Sequence, residues 1–359
     1  MSKPLPSASG HFRRSYADEF RLIETRLAKT SAAAFALVLL VFPFAVSPFY
    51  VDLATQVFLA AIGALALMLL TGIAGQISLG HAGLLAAGAF TTGILYKEFG
   101  APFWVTLPSA ALAGALLGVV FGLPSLRLRG LYLAVSTLAL HFLVVYLGGE
   151  YETRRGFSTG ILVDPPVVFG YEIYAPRVWY FVLLAAAALT LLICINLMRS
   201  RSGRAWRAIH SNETVAEALG IGIARYKLLA FVITSAITAM AGALFAYYRG
   251  FVSIEAFSLY LTIQYVAMII IGGMGSLLGA LLGALFVTLF PYVIEGAMAA
   301  LPGADRLAGS VFAVNYAAFG IVMILFLVFE PQGLVGIWRR VRNYFLLWPF
   351  RQTALGERP

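Results

Sequence analysis

Charged side chains are scarce in this sequence. Asp, Glu, Lys and Arg make up 11% of the 359 residues, whereas apolar residues make up 61% and the mean hydropathy is +0.90. Soluble globular domains carry about 25% charged residues. This balance excludes a soluble domain and predicts an integral membrane protein.

Cysteine is almost absent, and no segment resembles a cleavable signal. The single Cys194 lies inside an apolar run, which excludes an intramolecular disulfide and indicates a small buried side chain. The first 30 residues are polar, and the first apolar run, from Ser31, is long enough to span a membrane and lacks a small-residue cleavage site. We therefore expect this run to remain in the membrane.

Catalytic and metal-binding motifs are also missing. The sequence contains no G-x-x-x-x-G-K-[ST], no H-E-x-x-H and no C-x-x-C. We therefore expect no catalytic residue, no metal site and no cofactor. His81 and His141 lie in or near apolar runs. Such a histidine is a candidate proton relay, but a neutral ring bonded to a backbone carbonyl at a helix end is the commoner arrangement.

Carboxylates inside the apolar runs are few. Glu295 and Glu330 fall at the ends of runs. A carrier driven by protons or sodium usually needs carboxylates near the middle of the membrane. Their absence there indicates that the energy for any transport comes from another source.

Ten apolar runs approach or exceed the roughly 20 residues needed to cross a membrane. They cover residues 31–50, 52–72, 82–96, 104–124, 130–148, 178–198, 227–249, 259–272, 276–297 and 310–329. The third and eighth runs are short. The sequence therefore predicts an all-α, polytopic transmembrane helical bundle of eight to ten spans, with ten favoured.

Basic residues lie mainly on one side of these runs. With the N-terminus inside, nineteen of the 25 Lys and Arg residues fall in cytoplasmic segments, whereas the 16 acidic residues divide seven inside and nine outside. Cytoplasmic loops are enriched in Lys and Arg. The positive net charge thus indicates topology, with both termini cytoplasmic, and gives no reason to expect nucleic acid.

The chain divides into three segments. Residues 1–30 carry four apolar residues at helical spacing, which indicates a cytoplasmic or interfacial helix, although a disordered tail fits the first ten residues equally well. Residues 31–330 form the transmembrane domain, with 149–177 as its longest outside loop. Residues 331–359 form a basic and aromatic cytoplasmic tail, typical of an anchor at the inner membrane surface and its lipids.

The polar interval at 199–227 contains a short helix with a start and a stop. Asn212 can cap its N-terminus, where Glu213 suits the helix dipole. Gly220 can adopt the left-handed conformation just past its end. One face carries Val215, Ala218 and Leu219, and the other carries Glu213 and Glu217. So short a helix is marginal alone in water, so we expect it to dock onto the membrane, the rest of the chain or a soluble partner.

Two glycine-rich segments interrupt the apolar runs. Candidate residues of a translocation pathway in them are Gly75, Gln76, Ser78, Gly80 and His81 in the first, and Gly272, Gly273 and Gly275 in the second. Non-helical backbone at membrane depth needs protein or a water-filled cavity around it, and broken helices point to transport pathways. The alternative is that these glycines only allow close packing or a turn. Both segments lie near the cytoplasmic side in the predicted topology.

Four stretches together resemble one known family. They are GQISLGHAG at 75–83, LRLRGLYLA at 126–134, the interval 203–231 with GRAWRAI, AEALGI and YKLLAF, and IGGMGSLLG at 271–279. The chain resembles the LivM-type permease of bacterial branched-chain amino-acid ABC importers. The combination covers most of the membrane domain and is far more specific than any single stretch.

The resemblance implies partners and a role for the short helix. Permeases of this family work with a homologous LivH-like membrane subunit, two cytoplasmic ATPases and a periplasmic solute-binding protein, in the bacterial inner membrane. The stretch at 203–231 corresponds to the family's coupling helix, which fits a groove on the ATPase. Ala216, Glu217, Ala218 and Gly220 carry its E-A-A-type signature, with Ala216 where some transporters have Glu.

Two alternatives stay open. The family's T-G-G-[ST]-[ND]-G-[LI] element agrees only in fragments with residues 153–161. Because permeases for urea or other amides share the remaining motifs, the resemblance leaves the solute open. A self-sufficient secondary carrier or channel is disfavoured by the scarcity of charges at mid-membrane, and a membrane-embedded enzyme has no supporting cluster of residues.

Overall fold

The computed structural model describes residues 26–126, 128, 130–157, 160–168, 170–299 and 311–347. The predicted interfacial segment up to residue 25, the basic residues Arg127 and Arg129, residues 158–159 of the outside loop and the last twelve residues of the tail lie outside the described part.

Thirteen α-helices form the described chain. They are α1 (Arg26–Ala45), α2 (Pro48–Leu67), α3 (His81–Phe99), α4 (Phe103–Ser125), α5 (Leu131–Arg155), α6 (Pro176–Arg199), α7 (Arg201–Ser211), α8 (Glu213–Ala218), α9 (Ile223–Arg249), α10 (Leu259–Gly272), α11 (Leu277–Ala299), α12 (Val311–Phe329) and α13 (Gly333–Leu347). A π-helical turn, Met68–Ile73, extends α2, and a 3₁₀ turn, Ile254–Phe257, precedes α10. Each of the ten predicted apolar runs lies largely in one of these helices.

The described residues contain six helical segments that are long and apolar enough to cross a membrane. They are Pro48–Ile73, Phe103–Pro124, Leu131–Arg155, Pro176–Arg199, Ile223–Arg249 and Leu277–Ala299. A seventh arises if α12 and α13, which bend by 53° at their junction, count as one span. The apolar parts of α1 and α10 are shorter. The chain is therefore a multi-span helical membrane protein, and the favoured count of ten is not confirmed by length and composition.

Helices α2 and α9 form the centre of the bundle. They are the most deeply buried of the candidate spans, and α9 packs against α3 and α4 while α2 packs against α6 and α11. Glycine permits the closest of these contacts. A Cβ added at Gly88 of α3 would lie 1.8 Å from the carbonyl oxygen of Ala239, and one added at Gly242 would lie 1.9 Å from that of Leu85. Small residues thus bring α3 and α9 together, as is common between membrane helices.

Short strands occur at one end of the bundle, where the sequence predicts only a loop. Strand β1 (Ile161–Leu162) pairs with β4 (Phe251–Val252), and β2 (Val167–Val168) pairs with β3 (Tyr171–Glu172), both antiparallel. Helix α5 also extends to Arg155, past the predicted boundary at 149. The all-α expectation therefore holds for the bundle but not for this loop. Two-residue strands carry no periodicity that a sequence pattern could show.

The two glycine segments are breaks between consecutive helices. The first follows the π-helical turn, passes through Gly75 at φ +71° and ends where α3 begins. The second joins α10 to α11 through Gly273 at φ +114° and Gly275 at φ +81°. The breaks touch, because the backbone N–H of Gly275 points to the sulfur of Met68 at 3.3 Å and a Cβ at Gly72 would lie 2.9 Å from that nitrogen.

Candidate functional site

The polar interval at 199–227 forms two helices, α7 and α8. Only the second of them is predicted from the sequence. The first, α7, begins at a cap in which Ser200 Oγ accepts from the N–H of Gly203 at 3.4 Å. Its Trp206 is fully buried and donates through Nε1 to the carbonyl of Tyr226 at 2.8 Å. Helix α7 is therefore fixed against the start of α9.

The start of α8 follows the prediction. Asn212 Oδ1 accepts a hydrogen bond from the N–H of Val215 at 3.1 Å, which satisfies one of the free donors of the first turn. Glu213 lies in that first turn and forms an ion pair with Lys227 near the start of α9. The lysine side chain is only 13% exposed, so this pair connects the short helix to a transmembrane helix.

The end of α8 is a complete Schellman motif. Gly220 takes φ +81° and donates to the carbonyl of Glu217 at 2.9 Å, while Ile221 donates to that of Ala216 at 3.0 Å. These are the two bonds that define the motif, and glycine suits the left-handed residue at its centre. The predicted stop at Gly220 is confirmed.

The faces of α8 separate one buried residue from an exposed apolar pair. Ala216 is fully buried against the protein, whereas Val215 is 54% exposed and Leu219 is 74% exposed. Glu217 and Ala218 are exposed as well. An exposed apolar pair on a short helix that is held at both ends is suited to contact with another surface.

The loop after Gly75 buries its polar side chains in protein. Gln76, Ser78 and His81 are each no more than 3% exposed. Gln76 Nε2 donates to the backbone carbonyl of Lys227 at 3.0 Å, and the backbone carbonyl of Gln76 accepts from Thr71 Oγ1 at 3.0 Å. The break is thus stabilised by hydrogen bonds within the protein, as non-helical backbone at membrane depth requires.

The next residues of the loop pack against α5. The N–H of Leu79 donates to Thr137 Oγ1 at 2.9 Å, and that of Gly80 lies 3.4 Å from Ser78 Oγ. A Cβ at Gly80 would stand 2.5 Å from the carbonyl oxygen of Thr137, and one at Gly83 would stand 2.6 Å from the Cα of His141. Both glycines are therefore required for this helix contact, whatever else they do.

His81 sits at the first position of α3 and is fully enclosed. Its ring lies 4.6 Å from the ring of Tyr265, centroid to centroid. Its Nε2 has no hydrogen-bond partner among the described residues.

The polar interval at 199–227 and the Gly75 loop touch directly. His210 Nδ1 of α7 lies 3.3 Å from the carbonyl oxygen of Ile73, and a Cβ at Gly75 would meet the His210 ring at 2.9 Å. With the bond from Gln76 to Lys227, this gives two connections between segments that lie more than 130 residues apart. The sequence does not predict these contacts of His210 and Lys227, because no spacing rule relates positions so distant.

The second break is tightly packed. A Cβ at Gly272 would lie 1.9 Å from the carbonyl oxygen of Gly279, and one at Gly273 would lie 2.5 Å from that of Gln332. With the contact of Gly275 to Met68, each of the three predicted glycines approaches backbone or a buried side chain. The two breaks therefore form one cluster at the end of the bundle that carries α7 and α8.

Comparison with known proteins identifies the family. A family model described as "Branched-chain amino acid transport system / permease component" matches residues 49–328. The chain belongs to this family. The match covers both glycine segments and the polar interval at 199–227, and it confirms the resemblance stated from the sequence motifs.

Individual relatives agree. The high-affinity branched-chain amino acid transport system permease protein LivM of Salmonella typhimurium is 32% identical over 330 residues, covering 85% of this chain and 74% of the relative. Its counterpart from Escherichia coli K12 is 33% identical over 321 residues, covering 83% and 72%. A probable branched-chain amino acid permease protein LivH of Methanocaldococcus jannaschii is 23% identical over 275 residues, covering 71% and 82%. The comparison with solved structures returned no match.

Proposed function

We propose that this chain is the permease subunit of an ATP-binding cassette importer that carries branched-chain or related apolar amino acids across the bacterial inner membrane. The observation that carries the proposal is the family match over 49–328, supported by two LivM relatives above 30% identity. The chain would supply the path for the solute, and ATP hydrolysis would take place on separate subunits.

The proposal requires partners. They are a homologous LivH-like permease subunit, two cytoplasmic ATPases and a periplasmic solute-binding protein. Similarity of the chain to both LivM and LivH proteins supports pairing of two related permeases. The exposed apolar pair of α8 supports contact with an ATPase, because a surface of this kind becomes stable when another protein covers it.

The coupling element would be α8 with its caps, and the polar interval at 199–227 that contains it would be the coupling loop. Its residues are Asn212, Glu213, Ala216, Glu217, Ala218 and Gly220. The cap and the Schellman motif make this six-residue helix rigid enough to transmit a displacement. Closure of the ATPase dimer would move α8, and the bundle would change between outward-open and inward-open states.

The displacement would reach the membrane helices through the glycine cluster. The ion pair from Glu213 to Lys227 joins α8 to α9, and the contacts of Gln76 with Lys227 and of His210 with Ile73 join the coupling loop to the first break. The candidate pathway segments remain those with Gly75, Gln76, Ser78, Gly80 and His81, and with Gly272, Gly273 and Gly275. In this mechanism they act as the cytoplasmic closure of the path.

We also propose both termini in the cytoplasm, with the basic residues of the coupling loop and of α13 inside. Ten crossings would follow if α1, α3, α10 and the bent pair of α12 and α13 span in addition to the six segments above. Single cysteines at Tyr174 and Ser211 in a Cys194→Ala background test the orientation. A membrane-impermeant thiol reagent on intact spheroplasts is expected to label position 174 and spare position 211, and the reverse result would overturn this topology.

Reconstitution tests the function itself. The complete complex in proteoliposomes, with binding protein and ATP, is expected to accumulate leucine, isoleucine and valine and to ignore urea and short amides. Uptake of urea instead would assign the chain to the amide-importing relatives. Uptake that is undiminished without ATP or without the ATPases would contradict an ATP-driven importer and indicate a self-sufficient carrier or channel.

A further inference from the structure

A cavity of about 360 Å³ lies between α2, α9, α10 and α11, at the opposite end of the bundle from the coupling loop. Pockets that hold small molecules measure about 300–1,000 Å³. The sequence motifs do not point to this cavity, because none of the four family stretches supplies its lining.

Two helices show how deep the cavity extends. Helix α9 contributes Arg249 at its end and reaches inward to Ala241, and α11 contributes Glu295 near its end and reaches inward to Val287. Each interval covers eight residues, or about 12 Å at the helical rise of 1.5 Å per residue. In the proposed topology the ends with the charged residues face the outside, so the cavity opens outward and closes toward the middle of the membrane.

The chemistry of the lining changes with depth. The mouth carries Arg249 and Glu295, whereas the deeper wall carries no charge and combines the apolar Met268 with the polar Thr288 and Tyr265. Among the described residues neither Arg249 nor Glu295 has an ion-pair partner. A cavity with one cation and one anion at its mouth and uncharged, largely apolar walls below matches a zwitterion with an apolar side chain.

Helix α11 adds an irregularity at the cavity. Pro291 lies inside this helix, and because proline has no N–H, the carbonyl of Val287 loses its usual intrahelical donor. Pro291, Val287 and Thr288 all line the cavity. Proline in a membrane helix is tolerated where water or neighbouring protein groups satisfy the freed carbonyl, and at this position the cavity lies beside it.

We propose that this cavity is a binding site for the transported solute within the single subunit, built for an α-amino acid with an apolar side chain. The guanidinium of Arg249 would receive the carboxylate, Glu295 would receive the ammonium group, and the side chain would occupy the apolar part near Met268. This inference rests on the proposed import function and adds a site to it.

The deep end of the cavity connects it to the first glycine break. Tyr265 and Leu85 line that end. Tyr265 packs on His81 at the start of α3, and Leu85 follows one turn later. The buried Nε2 of His81, without a partner in the described chain, lies just beyond this floor. The Gly75 loop thus lies on the cytoplasmic side of the cavity, where an inner gate is needed.

Cysteine accessibility tests the site in the assembled transporter. In a Cys194→Ala background, Thr288→Cys places a thiol of similar size in the lining, and Leu285→Cys places one on the same helix one turn away, at an exposed position outside the lining. A thiol reacts as the thiolate, which forms in water and not in hydrocarbon. We expect an impermeant methanethiosulfonate added outside to react at least tenfold faster at 288 and to abolish leucine uptake there only.

A second pair of variants tests whether the positive charge of Arg249 is needed for transport. Arg249→Gln is expected to lower the maximal rate of leucine uptake at least tenfold with saturating binding protein, with normal yield of the co-purified complex. Arg154→Gln, at an exposed end of α5 and outside the lining, is expected to retain the wild-type rate.

Each outcome decides the proposal. Equal reactivity at positions 288 and 285 would show that lipid or a partner fills the cavity, and modification at 288 with full uptake would show that solute does not pass there. Equal rates for the two arginine variants would remove the carboxylate site. If the unmodified complex transports branched-chain amino acids, these failures concern the cavity alone. Failure of the unmodified complex to transport them would instead refute the proposed import function.

Discussion

The end of α8 gives the sharpest test of coupling. Gly220 has φ +81° and Gly222, two residues later, has φ −71°. A Cβ added at either position would meet no atom within 4 Å. Gly220→Val and Gly222→Val therefore differ in the backbone conformation that valine must adopt, and steric contact with the rest of the chain plays no part.

The expected cost at Gly220 follows from that conformation. A left-handed residue with a side chain costs about 1–2 kcal/mol, and a β-branched side chain resists this region further. Relief of the strain requires loss of the bonds from Gly220 to Glu217 and from Ile221 to Ala216, each worth about 1 kcal/mol. A six-residue helix cannot absorb such a change, so α8 should lose its fixed end and the position of Leu219.

The assay compares uptake with ATP hydrolysis in proteoliposomes that contain all subunits. For Gly220→Val we expect ATP hydrolysis to continue while leucine uptake falls about tenfold, which is the ratio that 1.4 kcal/mol produces in an equilibrium. Gly222→Val is expected to retain coupled transport, because its φ is ordinary for any residue. Insertion and yield of the permease should be equal for both variants.

Full uptake by Gly220→Val would refute the reasoning, since it would show that the C-terminal stop of α8 does not matter for coupling. Loss of uptake in both variants would show that added side chains on the exposed surface of the 219–222 turn cause the effect, and that the backbone conformation at Gly220 does not.

The Gly75 loop supports two further predictions. Gln76→Ala removes the hydrogen bond to the carbonyl of Lys227, worth about 1 kcal/mol, and is expected to lower leucine uptake several-fold with normal assembly. Ile77→Ala, at an exposed neighbouring position, is expected to leave uptake unchanged. Equal uptake kinetics in the two variants would contradict a pathway role for the loop. Gly80→Leu forces a side chain against the carbonyl of Thr137, 2.5 Å from the position of its Cβ, so co-purification with the partner subunits is expected to fail, and normal yield would show that this contact is not required.

Local signals in the sequence are sufficient for parts of the fold. The apolar runs locate ten helices, and Asn212 and Gly220 mark the ends of α8, because caps depend on residues within one or two turns. The same reasoning misses α7, whose fixed position depends on the burial of Trp206 against Tyr226. It also misses the π-helical turn at Met68–Ile73, since π turns leave no periodic pattern.

Tertiary contacts explain the remaining differences. The sequence shows that Gly75 and Gly275 interrupt helices, but the direct contact between the two breaks, and of the first with His210, follows only from the packed bundle. The sequence does not predict the cavity either, because its lining combines isolated residues from separate helices. In the sequence, Arg249 and Glu295 are ordinary charges at the ends of apolar runs, and only the fold places them at one opening.

Close packing and a role in transport are compatible at the glycine breaks. A pathway that closes on the cytoplasmic side needs elements that exclude water in one state and separate in another. Backbone contacts at glycines exclude water in the closed state without side chains. Few hydrogen bonds across these glycine contacts must break when the elements separate in the open state. The contact between Gly275 and Met68 is easily broken, because a backbone N–H that donates to a thioether sulfur at 3.3 Å forms a weaker bond than an N–H···O bond. A small displacement of α7 and α8, transmitted through His210 and Lys227, would therefore suffice to open the breaks that the packing closes.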